Sequence, residues 1–408
     1  MASEASLNQL IDRKLPVAPL AIIALPSARE MGEKVSDYIS SFRRTEGAAG
    51  TGEDSFDEYF QESYLLDVSL ERTPSGEGRA NLQDSVRGRD IFILVDVMNW
   101  TVTYQMNGFI NHMSPDDHFQ DLKRVISAIQ GKARRITVIM PFLYEGRQHH
   151  RGSRESLDAA LMLGELFNMG VDNFITFDAH DPRIASVAPL ENFDNFVSPY
   201  QFLNALLHTV DDLQVDKEHV VVISPDEGAL DRTVYFANVI GADTGMFYKR
   251  RDYSKIVNGK NPIVAHEFLG TDLTGKDAII IDDMISSGGS MLDTSRQLKE
   301  HMHAGRVFIC TTFGLFTDGL EAFDHAYEEG WFDKLVTTNL TYLPKELFDR
   351  PYFAQADMSR YMATIIDYFN HDAGINNMEM MTQKMHEILM NYNLHEKKAL
   401  QDDGLLDL

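Results

Sequence analysis

The chain has 408 residues, 44% hydrophobic and 24% charged, a balance that suits a soluble globular protein of two or three domains with a sizeable core. A formal net charge of −25 argues against broad attraction to nucleic-acid phosphates. A single cysteine, Cys310, excludes an intramolecular disulfide and a cysteine-built zinc site, and no apolar run reaches the ~18 residues of a membrane span. The N-terminal MASEASLNQLIDRKLP lacks the charged-then-apolar order of a signal peptide, so the expectation is a cytoplasmic protein with neither a nucleic-acid nor a membrane partner.

In chain order the repeating unit is a short apolar strand, a polar turn and a segment of helical period. APLAIIAL at 18–25 precedes Ser27 and the amphipathic AREMGEKVSDYI, and RDIFILVDV at 89–97 and RRITVIMPFL at 134–143 read as strands. Between the last two, Ser114-Pro115 signals a helix start, with Phe119, Leu122, Val125, Ile126 and Ile129 on one face. SLDAALMLGELFNMGV and NFITFDAH continue the alternation. A second series starts near 219 with HVVVISPDEG, ALDRTVYFANVIG, GMFYKR, KDAIIIDDM, SMLDTSRQLKE and RVFICTTFGLF. Continuous apolar strands alternating with helices predict two tandem doubly wound parallel-sheet α/β domains. Expected boundaries are 15–205, 206–350 and a helical tail at 351–408, with a polar, glycine-rich surface insertion at 45–58.

In open α/β sheets ligands bind at the carboxyl ends of the strands, which directs attention to FDAH at 177–180, SPDEG at 224–228, YKRR at 248–251 and DDMISSGGS at 282–290. In the last, Ser286, Ser287, Gly288, Gly289 and Ser290 precede a helix, so backbone N–H groups and hydroxyls can surround a phosphate at its positive end. Asp282 and Asp283 can accept hydrogen bonds from sugar hydroxyls or hold a divalent cation through water. The bland alternative makes the serines an N-cap and the aspartates strand-end solvation.

IIIDDMISSGGS resembles the PRPP-binding motif shared by type I phosphoribosyltransferases and ribose-phosphate diphosphokinases. The motif alone does not separate the two. VVISPDEGALDR, MPFLYEGRQ, FITFDAHDP and NLQDSVRGRDIFIL each resemble a stretch of the diphosphokinases, in that family's order, and with the motif they span roughly residues 80–345. The resemblance implies two domains of type I phosphoribosyltransferase-like fold, transfer of a diphosphoryl group from ATP to the 1-hydroxyl of ribose 5-phosphate, and a homo-oligomer. It implies ribose 5-phosphate on Asp282, Asp283 and residues 286–290, ATP on Arg147 and Gln148, Mg²⁺ on His180 and Asp226, and catalysis by Lys249 and Arg251, which follow a strand and start a long polar loop, YSKIVNGKNPIVAHEFLG. His149, His150, Arg151, Ser153 and Arg154 fall where the family often carries a regulatory loop, with a solvated basic turn as the plainer account. The adenine-holding aromatic and acidic positions become Thr73, Ser75 and Glu77, of which only Glu77 keeps the expected chemistry. A phosphoribosyltransferase and a non-catalytic synthetase-like protein are the rival expectations; the first leaves SPDEG, FDAH and RQ without purpose, and the second would lose cations or metal ligands that this chain retains.

Overall fold

A computed structural model of the protein describes residues 15–49, 60–148, 154–251, 263–374 and 377–393. Within them the chain forms two compact units. The first takes the residues up to Val197 together with Leu340–Tyr342 and Met358–Asn377; the second takes Ser198–Asn339, Leu343–Asp357 and the residues from Met378 onward. Among the described residues no helix is long and apolar enough to cross a membrane.

The first unit opens with β1 (Leu20–Ala24) and α1 (Arg29–Ala49), followed by a hairpin of β2 (Val68–Arg72) and β3 (Gly78–Leu82) and then β4 (Asp90–Leu94). A second hairpin, β5 (Thr103–Met106) and β6 (Phe109–His112), precedes α2 (Pro115–Ile129), β7 (Arg135–Ile139), α3 (Asp158–Asn168), β8 (Asn173–Phe177) and β9 (Asn192–Phe196). The sheet order is β1-β4-β7-β8-β9, parallel throughout. Leu65 adds a parallel bridge to Ile22 on the free side of β1, so the winding direction reverses there. The two sheet faces follow from the strand period of two. Ala21, Ile23, Ile91 and Ile93 pack with Phe119, Leu122 and Val125 of α2 and with Met162 and Leu163 of α3. Ala24 faces the other way, against α1, where a Cβ added to Gly32 would fall 2.4 Å from its own Cβ. The Ser114 signal is a full capping box, Ser114 Oγ accepting from Asp117 N while Asp117 Oδ2 accepts from Ser114 N.

The second unit runs α4 (Pro199–Thr209), β10 (Val220–Ser224), α5 (Leu230–Ile240), β11 (Asp243–Arg251), β12 (Ile263–Leu269), β13 (Asp277–Ile285), α6 (Gly289–Glu300), β14 (Val307–Gly314), α7 (Glu321–Glu328), β15 (Lys334–Thr338) and β16 (Phe353–Ala356). Its sheet order is β12-β11-β10-β13-β14-β15-β16, and only β12 is antiparallel to its neighbour. From β10 the chain builds outward in one direction to β12, then crosses back to β13 and continues the other way. The strand order therefore reverses between β10 and β13, which opens a crevice at their carboxyl ends.

Several particulars depart from the sequence reading. The stretch after Arg251 is not all loop: Ile263–Leu269 is β12, pairing Lys249 with His266 and Arg251 with Ile263, so both cations sit on a strand of an edge hairpin. An apolar, β-branched segment covers an otherwise open sheet edge, which outweighs its polar surroundings. Residues 252–262 lie outside the described residues, as do His149, His150, Arg151 and Ser153. The expected insertion at 45–58 begins later, because α1 continues through Ala49; residues 50–59 are not described. The first unit ends at Val197 rather than at 205, since α4 packs on β15 and β16 of the second sheet.

The expected tail at 351–408 is shared between the units. Phe353–Ala356 is the edge strand β16 of the second unit, whereas α8 (Ser359–Asn370) packs on α1 in the first, and α9 (Asn377–Asn393) belongs mainly to the second. Buried polar pairs fix α8. Arg43 donates to Asp367 Oδ1 at 2.7 and 3.0 Å and to Asn370 Oδ1 at 2.8 Å, and Asn370 Nδ2 donates to Asp90 Oδ2 at 2.9 Å.

Candidate active site

In the second unit the crevice is built from two strand ends. β10 closes on Ser224, whose hydroxyl donates to the Asp226 carbonyl at 2.6 Å, and the Asp226 carboxylate accepts from Gly228 N at 2.9 Å, capping a short 3-10 turn. α5 starts one residue after that turn. Across the reversal, β13 outruns β10: their pairing stops at Ile223 with Ile280, while β13 stays paired to β14 as far as Ile285. Asp282 and Asp283 therefore sit on a strand that has lost its neighbour on one side.

Arg232, on the first turn of α5, fills that side. Its Nη1 lies 3.3 Å from Oδ1 of Asp282 and 3.3 Å from Oδ1 of Asp283. The Asp282 carboxylate also folds back to accept from Asp283 N at 2.9 Å, which is how residues of opposite strand parity come to face one guanidinium. Burial, and then the neighbouring Asp283 carboxylate, hold the Asp282 carboxyl well above the usual carboxylate range, while Arg232 opposes that shift.

The strand then turns through Ser286 and Ser287 into α6, whose N-cap, Gly288, lies in the left-handed region at φ 89° and supplies no side-chain cap. A Cβ on Gly288 would fall 2.3 Å from Phe323 Cζ, so the position requires glycine for both conformation and space. A helix start lacking a side-chain cap leaves its first N–H groups to an external acceptor, and the macrodipole favours an anion there. Ser287, Gly289 and Ser290 are exposed at this end.

In the first unit, the loop after β7 carries Arg147 and Gln148, both exposed. Two local turns shape it: Gly146 N donates to Leu143 O at 2.9 Å and Gln148 N to Glu145 O at 2.8 Å. The Tyr144 ring stacks on Phe119, and its hydroxyl donates to Asp116 at 2.6 Å. Burial, and then that hydrogen bond, raise the Tyr144 phenol above its ordinary value, so it stays a neutral donor. After β8, Asp178 N donates to Phe196 O at 2.7 Å and Ala179 N to Asn195 Oδ1 at 3.0 Å, while the Asp181 carboxylate accepts from Arg183 N at 2.9 Å. His180 is exposed between these two anchors. Thr73, Ser75 and Glu77 occupy the β2–β3 turn and bind one another, Thr73 Oγ1 to Ser75 Oγ at 2.9 Å and Ser75 Oγ to Glu77 Oε2 at 3.2 Å.

Residues 20–170 match the N-terminal domain of ribose phosphate pyrophosphokinase, and residues 203–323 match the phosphoribosyl transferase domain. Ribose-phosphate pyrophosphokinase of Corynebacterium efficiens is 31% identical over 266 residues, which are 63% of this chain and 74% of that protein. The chain belongs to the ribose-phosphate pyrophosphokinase family. The Vibrio parahaemolyticus pyrophosphokinase is 28% identical over 320 residues, 77% of this chain and 91% of its own. Phosphoribosylpyrophosphate synthetase from Mycobacterium smegmatis shares the fold, with a TM-score of 0.66 at 21% identity over 87% of this chain and 99% of that one.

The sequence does not mark out Arg232, which the structure sets against the carboxylate pair. It lies in the quoted ALDR, yet its value depends on facing a carboxylate pair fifty residues away. Asp96 is a second residue that the sequence does not mark out. This carboxylate is buried after β4, accepting from Met98 N at 2.9 Å and Tyr342 N at 2.6 Å, and burial raises it to about 7.

Proposed function

We propose that the protein makes phosphoribosyl pyrophosphate: the 1-hydroxyl oxygen of ribose 5-phosphate attacks the β-phosphorus of ATP, the bond to the α-phosphate oxygen breaks, and AMP leaves. The observation that carries this reading is the crevice at the strand-order reversal, where a buried carboxylate pair lies beside an uncapped glycine-rich helix start. The 5-phosphate binds the N–H groups and hydroxyls of residues 286–290, and Asp282 and Asp283 accept the ring hydroxyls. Arg147 and Gln148 hold ATP, Arg147 through its planar fork of donors. Lys249 and Arg251 neutralise charge spread over the transferring phosphates, the main catalytic demand of such transfers.

Asp226 offers the hard oxygen donor that Mg²⁺ prefers, and His180 is the second proposed ligand, through water or directly. When bound, Mg²⁺ supplies charge neutralisation on the ATP phosphates. Glu77 is the proposed adenine contact, and the active form is a homo-oligomer. Ribose 5-phosphate, ATP and Mg²⁺ incubated with the protein should give equal amounts of AMP and phosphoribosyl pyrophosphate by phosphorus NMR. Absence of both at high protein concentration, with and without inorganic phosphate, overturns the proposal.

A further inference from the structure

We infer that Arg232 is a positioning residue that sets the preference for ribose over 2-deoxyribose, by holding the Asp282 and Asp283 carboxylates in the arrangement that accepts two adjacent sugar hydroxyls. The inference rests on the proposed placement of ribose 5-phosphate. Asp282 and Asp283 are consecutive on a strand, where side chains normally diverge to opposite faces. Here a single nitrogen, Arg232 Nη1, stands 3.3 Å from one oxygen of each. The Asp282 side chain is fixed from a second direction by Asp283 N at 2.9 Å.

All three side chains are largely withdrawn from water, Arg232 at 17%, Asp282 at 21% and Asp283 at 4% exposure. A buried carboxylate that loses a cationic partner is strongly disfavoured, and two adjacent ones repel. Without the guanidinium the pair turns apart and stops presenting acceptors at the spacing of a vicinal diol. Arg232 reaches the pair from α5, on the β10 side of the reversal, whereas the phosphate-binding turn follows β13. Its effect therefore falls on the hydroxyls and spares the phosphate.

The test is calorimetric titration of ribose 5-phosphate and 2-deoxyribose 5-phosphate into the full chain with Mg²⁺ and α,β-methylene ATP, which cannot release AMP. Wild type should prefer ribose by about 10- to 100-fold, the worth of one hydrogen bond to a charged group, and Arg232→Gln should cut that preference to about threefold or less. Arg232→Lys, which restores charge without the fork, should fall between. An Arg232→Gln variant that keeps the wild-type preference, or weakens both sugars by the same factor, overturns the inference. Should Arg232→Gln not fold, an unchanged preference in Arg232→Lys overturns it equally. A wild-type protein that binds neither sugar overturns the proposed function itself, a separate outcome.

Discussion

Gly288 is where conformation, packing and ligand binding meet, and its replacement by alanine has a calculable consequence. At φ 89° an alanine pays the left-handed penalty, about 1–2 kcal/mol. Its methyl would also fall 2.3 Å from Phe323 Cζ and 2.6 Å from Cε2, on a buried ring that is itself packed edge-on against Phe316 at 5.3 Å. Overpacking of that kind costs about 1–3 kcal/mol, so Gly288→Ala should lose about 2–5 kcal/mol in all. Gly289, the next residue, has open space around the same hypothetical atom, and Gly289→Ala should be neutral or gain up to about 1 kcal/mol by restricting the unfolded chain. Urea denaturation of the two variants side by side removes errors common to both; with a slope of about 3 kcal/mol per molar, their midpoints should differ by about 1 M. A double-mutant cycle with Phe323→Leu should return a coupling of at least about 1 kcal/mol, because the leucine relieves the clash but not the backbone strain. Midpoints that coincide would refute the reasoning.

Two further outcomes concern a buried carboxylate outside the crevice and the proposed catalytic cation. Asp96 is raised to about 7 in the folded protein against about 3.9 unfolded, so the fold binds its proton more tightly. Its stabilising contribution is complete below about pH 4 and is lost as pH rises through about 7, up to about 4 kcal/mol across that window. Asp96→Asn cannot ionise, so the variant should gain stability relative to wild type between pH 5 and pH 8 in parallel urea titrations; a gap that moves the other way contradicts the assignment. Lys249→Ala should lower turnover by about 10²–10³-fold while ribose 5-phosphate affinity changes by less than about twofold, since the cation acts on transferring phosphates and not on the bound sugar. Steady-state rates and calorimetry separate the two effects, and retained turnover would remove Lys249 from catalysis.

Much of the site was legible because its chemistry is local. IIIDDMISSGGS places two carboxylates, a turn and a helix start within twelve consecutive residues, and the structure keeps that sequence of events on β13 and α6. The alternation of apolar strands with amphipathic helices likewise carried the doubly wound class, since each element shows its buried face in its own period. Asn107-Gly108, with φ of 53° and 81°, is a hairpin signal of the same local kind and forms the β5–β6 turn.

What only the tertiary structure decided is which distant groups share a neighbourhood. Nothing in ALDR distinguishes Arg232 from a solvated helix cation until the strand order sets α5 beside the end of β13. Nothing in Asp96 signals a raised carboxyl until Leu340–Tyr342 returns to cover it. The stretch from 351 onward reads as a helical tail in the sequence, yet α8 docks on α1 through Arg43, Asp367 and Asn370, and β16 ends the second sheet. Sequence period reports the face an element buries; burial against a particular partner depends on the order in which the sheets are wound, and that is a property of the whole chain.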